Sequence, residues 1–250
     1  MNFFILIWVA VTVFLLSFWG WSIVVLYKQK QSWKQFAKNR GLRYRSNSVF
    51  DSPEITGALK DYKVYIFTAE HEASDGRYAR RLTSIEVSLK SALPVSVAVA
   101  SGGMVKIVED LNFHVEYRPD LHGWDNSYIV RSRNEAVARE YLTERRLQEV
   151  VKLMKLKNSW VILFFSSGQG LLRIDTPDPL NDIKKIDSYV SKMLQAAQVL
   201  ELEKGEKEKL AYKAEQKEIK GGAGSVSRTP EIPDDLLEGP IGLTLEEDDD

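Results

Sequence analysis

The chain has no cysteine, only three histidines and eight prolines, and no excess of either charge, with 34 Lys and Arg against 35 Asp and Glu in 250 residues. Each shortage removes a class of function. Without cysteine there is no disulfide, thiol nucleophile or thiolate zinc site, and the composition fits a reducing compartment. A formal net charge of −1 gives no field that would gather nucleic acid, so none is expected as a partner. The familiar catalytic signatures are missing as well. There is no Gly-x-x-x-x-Gly-Lys to cradle phosphate, no Gly-x-Gly-x-x-Gly between a strand and a helix, no His-Glu-x-x-His and no Gly-x-Ser-x-Gly. No cofactor and no metal are expected.

What the chain does have is an uncharged run over residues 3–27, followed at once by Lys28, Lys30, Lys34, Lys38, Arg40, Arg43 and Arg45 with no acid among them. At about 1.5 Å per residue, such a run spans roughly 37 Å as a helix, enough to cross a hydrocarbon core of about 30 Å with some tilt. It exceeds the apolar core of a secretory signal and lacks a basic segment before it and a small-residue cleavage site after it, so an uncleaved anchor is expected. Trp19, Trp21, Tyr27 and Trp33 crowd the end beside the cations, where amphipathic rings settle at headgroup level. The charge step orients the anchor with its N-terminus outside and all that follows in the cytoplasm. The seven cations also suit an anionic leaflet, each worth on the order of 1 kcal/mol near its surface. Inside the run Ala10, Ser17, Gly20 and Ser22 never fall at the spacing of a tight helix-dimer seam, and no charge marks an ion pathway, so the segment is expected to tether.

Period and punctuation divide the remainder. The expected parts are an anchor (1–27), a basic juxtamembrane segment (28–45), a soluble α+β domain (46–200), a charged helical extension (201–220) and a disordered acidic tail (221–250). A short helix over 32–40, with Trp33, Phe36 and Ala37 on one face and Gly41 as its stop, is placed at the membrane surface. Strands are expected at 42–45, 55–59, 63–69, 82–89, 95–100, 105–108 and 113–117, with hairpins across Lys60-Asp61-Tyr62 and Ser101-Gly102-Gly103, in an antiparallel meander with one buried and one wet face. Thr143 opens a helix to about 157 whose Leu147, Val150, Val151 and Met154 form an apolar stripe. A strand pair at 159–165 and 171–174 follows. Asp178 and Pro179 then read as the cap and first turn of a helix carrying Ile183, Ile186, Val190, Met193, Leu194 and Ala197. The two helices are expected to cover the buried face of the sheet.

Chemistry-bearing residues are few. His71 lies between Glu70 and Glu72, and His114 lies in an alternating strand. Asp120, His122 and Asp125 share a Pro-, Asp- and Gly-rich loop with Trp124, where such residues serve either as turn caps or, converging, as ligands of a cation or partners in sharing a proton. That loop is the weak catalytic candidate of the chain, and a turn explains its composition without function. Arg77, Arg80 and Arg81 beside Ser74-Asp75-Gly76 offer a grip for an anion, or a basic loop near a membrane. In the tail Ile232, Leu236, Leu237, Ile241, Leu243 and Leu245 interleave with nine acids after Arg228, a mixture suited to ordering on a partner's surface or to plain solubilisation.

In its order of parts the chain resembles uncharacterised single-pass bacterial membrane proteins. The likeness rests on the anchor, on Trp-Lys-Gln-Phe-Ala-Lys-Asn-Arg-Gly-Leu over 33–42, on the β-rich region and on Tyr141-Leu142-Thr143-Glu144-Arg145-Arg146 opening a helix, and it covers about residues 1–200. It implies a bacterial inner-membrane setting and brings no catalytic residues with it. The sequence therefore leads to a non-enzymatic, membrane-tethered cytoplasmic interaction module or accessory subunit, with anionic headgroups and a protein as partners. A membrane-bound hydrolase or metal-dependent enzyme using the 120–125 loop, and an anionic-lipid sensor using residues 28–45, are the alternatives.

Overall fold

Charges enter the first helix only after Tyr27, yet α1 (Phe3–Arg40) runs unbroken from the apolar run into the folded domain. The computed structural model describes residues 3–46, 48, 51–72, 79–111, 113, 115–166 and 168–220. Among them α1 is the one helix long and apolar enough to cross a membrane, and none of that apolar stretch is buried. The helix stops at Gly41, whose φ of +67° favours a residue without Cβ, and Leu42 closes the end by donating its N–H to the Ala37 carbonyl at 2.9 Å. The short surface helix expected over 32–40 is instead the last part of α1. Its Trp33, Phe36 and Ala37, all at 1% exposure or less, are the face that enters the core.

After α1 come β1 (Arg43–Arg45), β2 (Glu54–Leu59), β3 (Tyr62–Glu72), β4 (Ala79–Leu89), β5 (Val97–Ala100) and α2 (Met104–Asp110). Then follow β6 (Val115–Glu116), β7 (Ile129–Ser132), α3 (Glu135–Tyr141), α4 (Glu144–Met154), β8 (Trp160–Ser166), β9 (Gln169–Thr176), α5 (Ile183–Leu200) and α6 (Glu206–Lys220). The described strands form one antiparallel sheet in the order β1-β2-β3-β4-β9-β8-β5-β7-β6. The α+β expectation, an N-terminal apolar helix followed by an antiparallel sheet with packed helices, is what the chain adopts. The simple meander holds only to β4, because the late hairpin β8–β9 inserts between β4 and β5. This puts the most apolar strand, with Val161, Leu163 and Phe165 at 0% exposure, in the middle of the sheet, where both faces are covered.

On one face Ile66, Ile85, Val99, Leu163 and Ile174 meet Trp33 and Phe36 of α1, Leu147 and Val150 of α4, and Ile186, Val190 and Met193 of α5 in a single core. On the other, α2 lays Met104 and Val108 over Ala98, Ala100, Ile162 and Phe164. The hairpin expected across residues 101–103 does not form, since Met104 and Val108 are buried at helical spacing. The two glycines serve Trp160 instead. A Cβ on Gly102 would lie 2.2 Å from the indole Cδ1, and one on Gly103 2.5 Å from Cε3.

Three further expectations change. The cap of α5 is Asp182, which accepts the Lys184 N–H at 2.9 Å. Asp178 holds the preceding turn by accepting the Leu180 N–H at 2.9 Å. Thr143 does precede α4, but its side chain makes no capping bond, and the helix ends at Met154. The extension after residue 201 is more than a solvated helix. Gly205 (φ +82°) breaks it, and α6 then returns along α3 to bury Leu210 completely. Arg146, 4% exposed, ties it down through Glu206 at 2.5 and 2.7 Å, the Tyr141 carbonyl at 2.9 Å and the Glu201 carbonyl at 2.7 Å.

Candidate functional site

Two places carry more polar organisation than packing alone requires. The first is the junction between α1 and the domain. Here Ser32 Oγ donates to the Asn181 carbonyl at 2.7 Å and the Trp33 indole N–H to the Leu180 carbonyl at 3.2 Å. Leu180 accepts this with a left-handed φ of +48° and a fully buried side chain, a conformation that a non-glycine residue holds only when its surroundings enforce it. Lys30 donates to Ser46 Oγ at 3.1 Å and to the Ser48 carbonyl at 2.5 Å, and Arg40 pairs with Asp187. Strand β1 therefore runs back along α1 toward its apolar half.

The cations of the 28–45 segment divide accordingly. Lys28, Lys34, Lys38, Arg40, Arg43 and Arg45 are exposed; of these Arg40 pairs with Asp187 and Arg45 lies beside Tyr65, while the half-buried Lys30 bonds to Ser46 and Ser48. Trp19, Trp21 and Tyr27 are exposed at 62%, 69% and 66%. Trp33 is not: its place at the interface is corrected to a core position, because the helix face it shares with Phe36 packs on the sheet and α5.

The second place is a buried charge cluster on the sheet face opposite α1. Arg173 on β9 holds Asp175 with two bonds, Nε at 2.8 Å and Nη2 at 3.0 Å, and reaches Glu86 at 3.3 Å and Ser84 Oγ at 3.3 Å on β4. His71 Nε2 bonds to the second Asp175 oxygen and lies 3.4 Å from Arg173 Nη2. Its ring meets Trp160 edge-on at 5.5 Å, and the Arg173 guanidinium sits 5.2 Å from the Phe67 ring, which stacks on Tyr65 at 4.3 Å. Ser84, Glu86, Arg173 and Asp175 are all at 3% exposure or less. Burial pushes the Glu86 carboxyl up to about 7, with Arg173 opposing and Asp175 adding to the rise. At Asp175 burial also works upward, but Arg173 and the bonds from Arg173 and His71 prevail and hold it below the usual carboxylate range.

This corrects the wet face expected of the sheet. Over β4 and β9 the polar alternates are interior. Sequence reasoning missed the cluster because Ser84 and Glu86 alternating with Ile85 and Val87 has the same period as a solvated strand. The available signal was Arg173 inside the otherwise apolar Leu171 to Ile174 stretch and Asp175 directly after it, two opposite charges in a strand where an unpaired one would be costly.

Tyr65 and Phe67 lie over Glu86 and Arg173 from the neighbouring strand, and the curl of one hairpin adds His71 to the cover. Strands β3 and β4 continue past the last pair of β4 with β9, Thr83 with Thr176, so that residues 69–72 and 79–82 form a two-stranded arm. His71 lies four residues beyond Phe67, whose row in the sheet includes Ser84 and Asp175. On a flat sheet this places it about 13 Å along and about 10 Å across from Asp175. Their contact shows that the arm bends over the face and brings His71 down onto the cluster.

The loop singled out by its composition is a turn with its own bonds. Trp124 donates its N–H to the Leu121 carbonyl at 3.0 Å, and Asp125 Oδ1 accepts the Ser127 N–H at 2.8 Å and hydroxyl at 2.7 Å. These bonds, the backbone one foremost, hold the Asp125 carboxyl below its ordinary range. Trp124 meets Tyr128 edge-on at 5.6 Å and packs against the core, while Asp120 and His122 are exposed. Among the described residues no group of three His, Asp or Glu is placed to hold a metal ion. Arg81 pairs with Glu70 at 2.8 Å on the exposed arm. His114, the 74–77 stretch with Arg77, and the tail with Ile232, Leu236, Leu237, Ile241, Leu243 and Leu245 lie outside the described residues.

No protein-family model matches the chain, and none of the curated proteins compared with it is similar. Among solved structures it is similar to that of the mycobacterial trehalose monomycolate transport factor A, TtfA, at 18% identity and a TM-score of 0.44, over 69% of this chain and 94% of that one.

Proposed function

We propose that the chain is a membrane-tethered interaction module, an accessory subunit of a protein assembly in a bacterial inner membrane, and that it performs no catalysis itself. The observation that carries this reading is α1: one helix supplies an exposed apolar segment of spanning length and, within nine residues of Tyr27, buries Trp33 and Phe36 in the domain. No linker separates the two, so the domain is held at the bilayer at a fixed angle rather than on a flexible leash. The cations that follow the apolar run favour the cytoplasmic side for the domain and attract anionic headgroups through Lys28, Lys34, Lys38, Arg43 and Arg45. The tail beyond residue 220, acidic with interleaved Leu and Ile, is the proposed reach toward a protein partner.

Purification of the full chain in mild detergent, followed by mass spectrometry of what accompanies it, tests the role. A reproducible integral-membrane partner lost on deletion of residues 221–250 supports it. Recovery of the chain alone, with and without the tail, counts against it. Because the native chain has no cysteine, Ser127→Cys gives one reporter for topology, expected to resist a membrane-impermeant thiol reagent until the inner membrane is permeabilised.

A further inference from the structure

The junction and the tail serve the proposed tether and partner contact, but they leave unused a buried charge cluster whose members come from three strands. Its placement is specific: it lies where the β3–β4 arm comes down on the sheet, and among the arm's described residues His71 bonds to it. We propose that the arm, in its described residues 69–72 and 79–82, is clasped onto the sheet by His71, and that whether Glu86, which shares Arg173 with Asp175, carries a proton decides whether the clasp holds.

The charges and polar groups around the clasp are these. From β9 come Arg173 and Asp175, from β4 come Glu86, Ser84 and, opposite His71 in the ladder, Arg80. From β3 comes Tyr65, which in turn faces Glu54 of β2 and Arg45 of β1. Arg173 satisfies one carboxylate with a two-bond fork at Asp175 and reaches Glu86 over a longer distance, at 3.3 Å. When Glu86 is protonated, Arg173 and Asp175 balance and His71 docks on a neutral pair. When Glu86 ionises, a second buried carboxylate competes for Arg173. The guanidinium is then drawn from the Asp175 oxygen that it shares with His71, and an unbalanced negative charge stays in a water-poor site. Opening the arm admits water to that charge. The upward push on Glu86 by burial to about 7 puts the change in the neutral range, with the arm closed below it and loosened above it.

The absence of cysteine allows a direct test on the full chain in detergent or nanodiscs. Spin labels at Arg81→Cys on the arm and Lys106→Cys on α2, both exposed positions, report the arm-to-sheet distance by pulsed electron paramagnetic resonance. One short-distance population is expected at pH 6, and at pH 8 a second, longer one grown by up to about tenfold, following the ionised fraction of a group that titrates near 7. Glu86→Gln, which keeps the shape without the charge, is expected to stay short at both pH values. His71→Ala is expected to show the long population at both. If His71→Ala fails to fold, Glu86→Gln still decides. Identical distributions for the native chain at pH 6 and 8, or a pH response surviving in Glu86→Gln, overturn the proposal.

Discussion

Trp33 and Leu180, 147 residues apart in the chain, are joined by a bond from the indole N–H to the carbonyl at 3.2 Å, and both side chains are fully buried. The bond fastens the continuation of an apolar helix to the turn before α5. Trp33→Phe keeps most of the packing and loses the bond, at an expected cost of about 1–2 kcal/mol, whereas Trp33→Ala is expected to cost about 3–5 kcal/mol. Denaturant unfolding of both variants gives the two values. Equal, small costs would mean that the junction is ornamental.

The same relationship predicts where the folded domain begins. A chain lacking residues 1–28 retains the face of α1 that packs in the core and is expected to fold in water. A chain lacking residues 1–41 also loses Trp33, Phe36 and Ala37, all at 1% exposure or less. Since each large buried side chain is worth a few kcal/mol and total stability is about 5–15 kcal/mol, the second truncation is expected to unfold or to bind hydrophobic dyes. Matching melting temperatures for the two would refute the shared-helix account.

How far this was legible in the sequence varied with the range of the forces involved. Trp33, Phe36 and Ala37 at helical spacing revealed a helix, but not that it continues α1 into the core, because an apolar face looks the same against a bilayer and against a sheet. Gly102-Gly103 looked like a hairpin turn, yet its use depends on Trp160, almost sixty residues later. The hairpin β8–β9 was readable as a local pair, and its insertion beside β4 was not, since register between distant strands is set by the packing of both faces. The charge cluster was hidden for the same reason. Glu86 meets Arg173 because the two are opposite each other in the β4–β9 ladder, and nothing within a few residues of Glu86 encodes a partner 87 residues away.

Arg146 is expected to be the residue on which α6 depends. Its guanidinium bonds to Glu206, Tyr141 and Glu201 together and stacks 4.4 Å from the Tyr141 ring. Arg146→Ala strands Glu206 and the two carbonyls and is expected to cost about 3–5 kcal/mol. Arg146→Lys rescues little, because a single ammonium cannot replace the fork. Limited trypsin digestion reports it locally, with faster cleavage at Lys209 and Lys213 in both variants. Unchanged cleavage there would show that the burial of Leu210 alone holds the helix.

Gly103 supports the clasp from below. Gly103→Ala drives a Cβ to 2.5 Å from the Trp160 ring, so the indole has to shift, at an expected cost of about 1–3 kcal/mol. Because the His71 ring meets Trp160 edge-on, the shift is expected to reach the arm. Amide hydrogen exchange in peptides covering residues 62–72 should then rise, while exchange in α5 stays as it was. A uniform rise everywhere would point to general destabilisation instead.

Glu86 gives the stability of the whole chain a particular dependence on pH. Burial holds its folded value at about 7, above the ordinary 4.5, so the native state keeps a proton that the unfolded chain releases. Stability is therefore expected to fall as pH rises from about 4.5 to 7, with a slope of at most ~1.4 kcal/mol per pH unit, and to level off above. Asp175 acts in the other direction. Its folded value lies below the ordinary 3.8, so its contribution is present above that value and is lost only as pH falls through the folded one. The two together place the optimum on the acid side of neutrality, near the point where Asp175 is ionised and Glu86 is not. Urea unfolding at pH 5, 6, 7 and 8 measures the slope in the native chain. Glu86→Gln is expected to flatten it and to be the more stable form at pH 8, since the amide needs no second cation. A slope that persists unchanged in Glu86→Gln would move its origin to another group and leave Glu86 paired and ionised across the range.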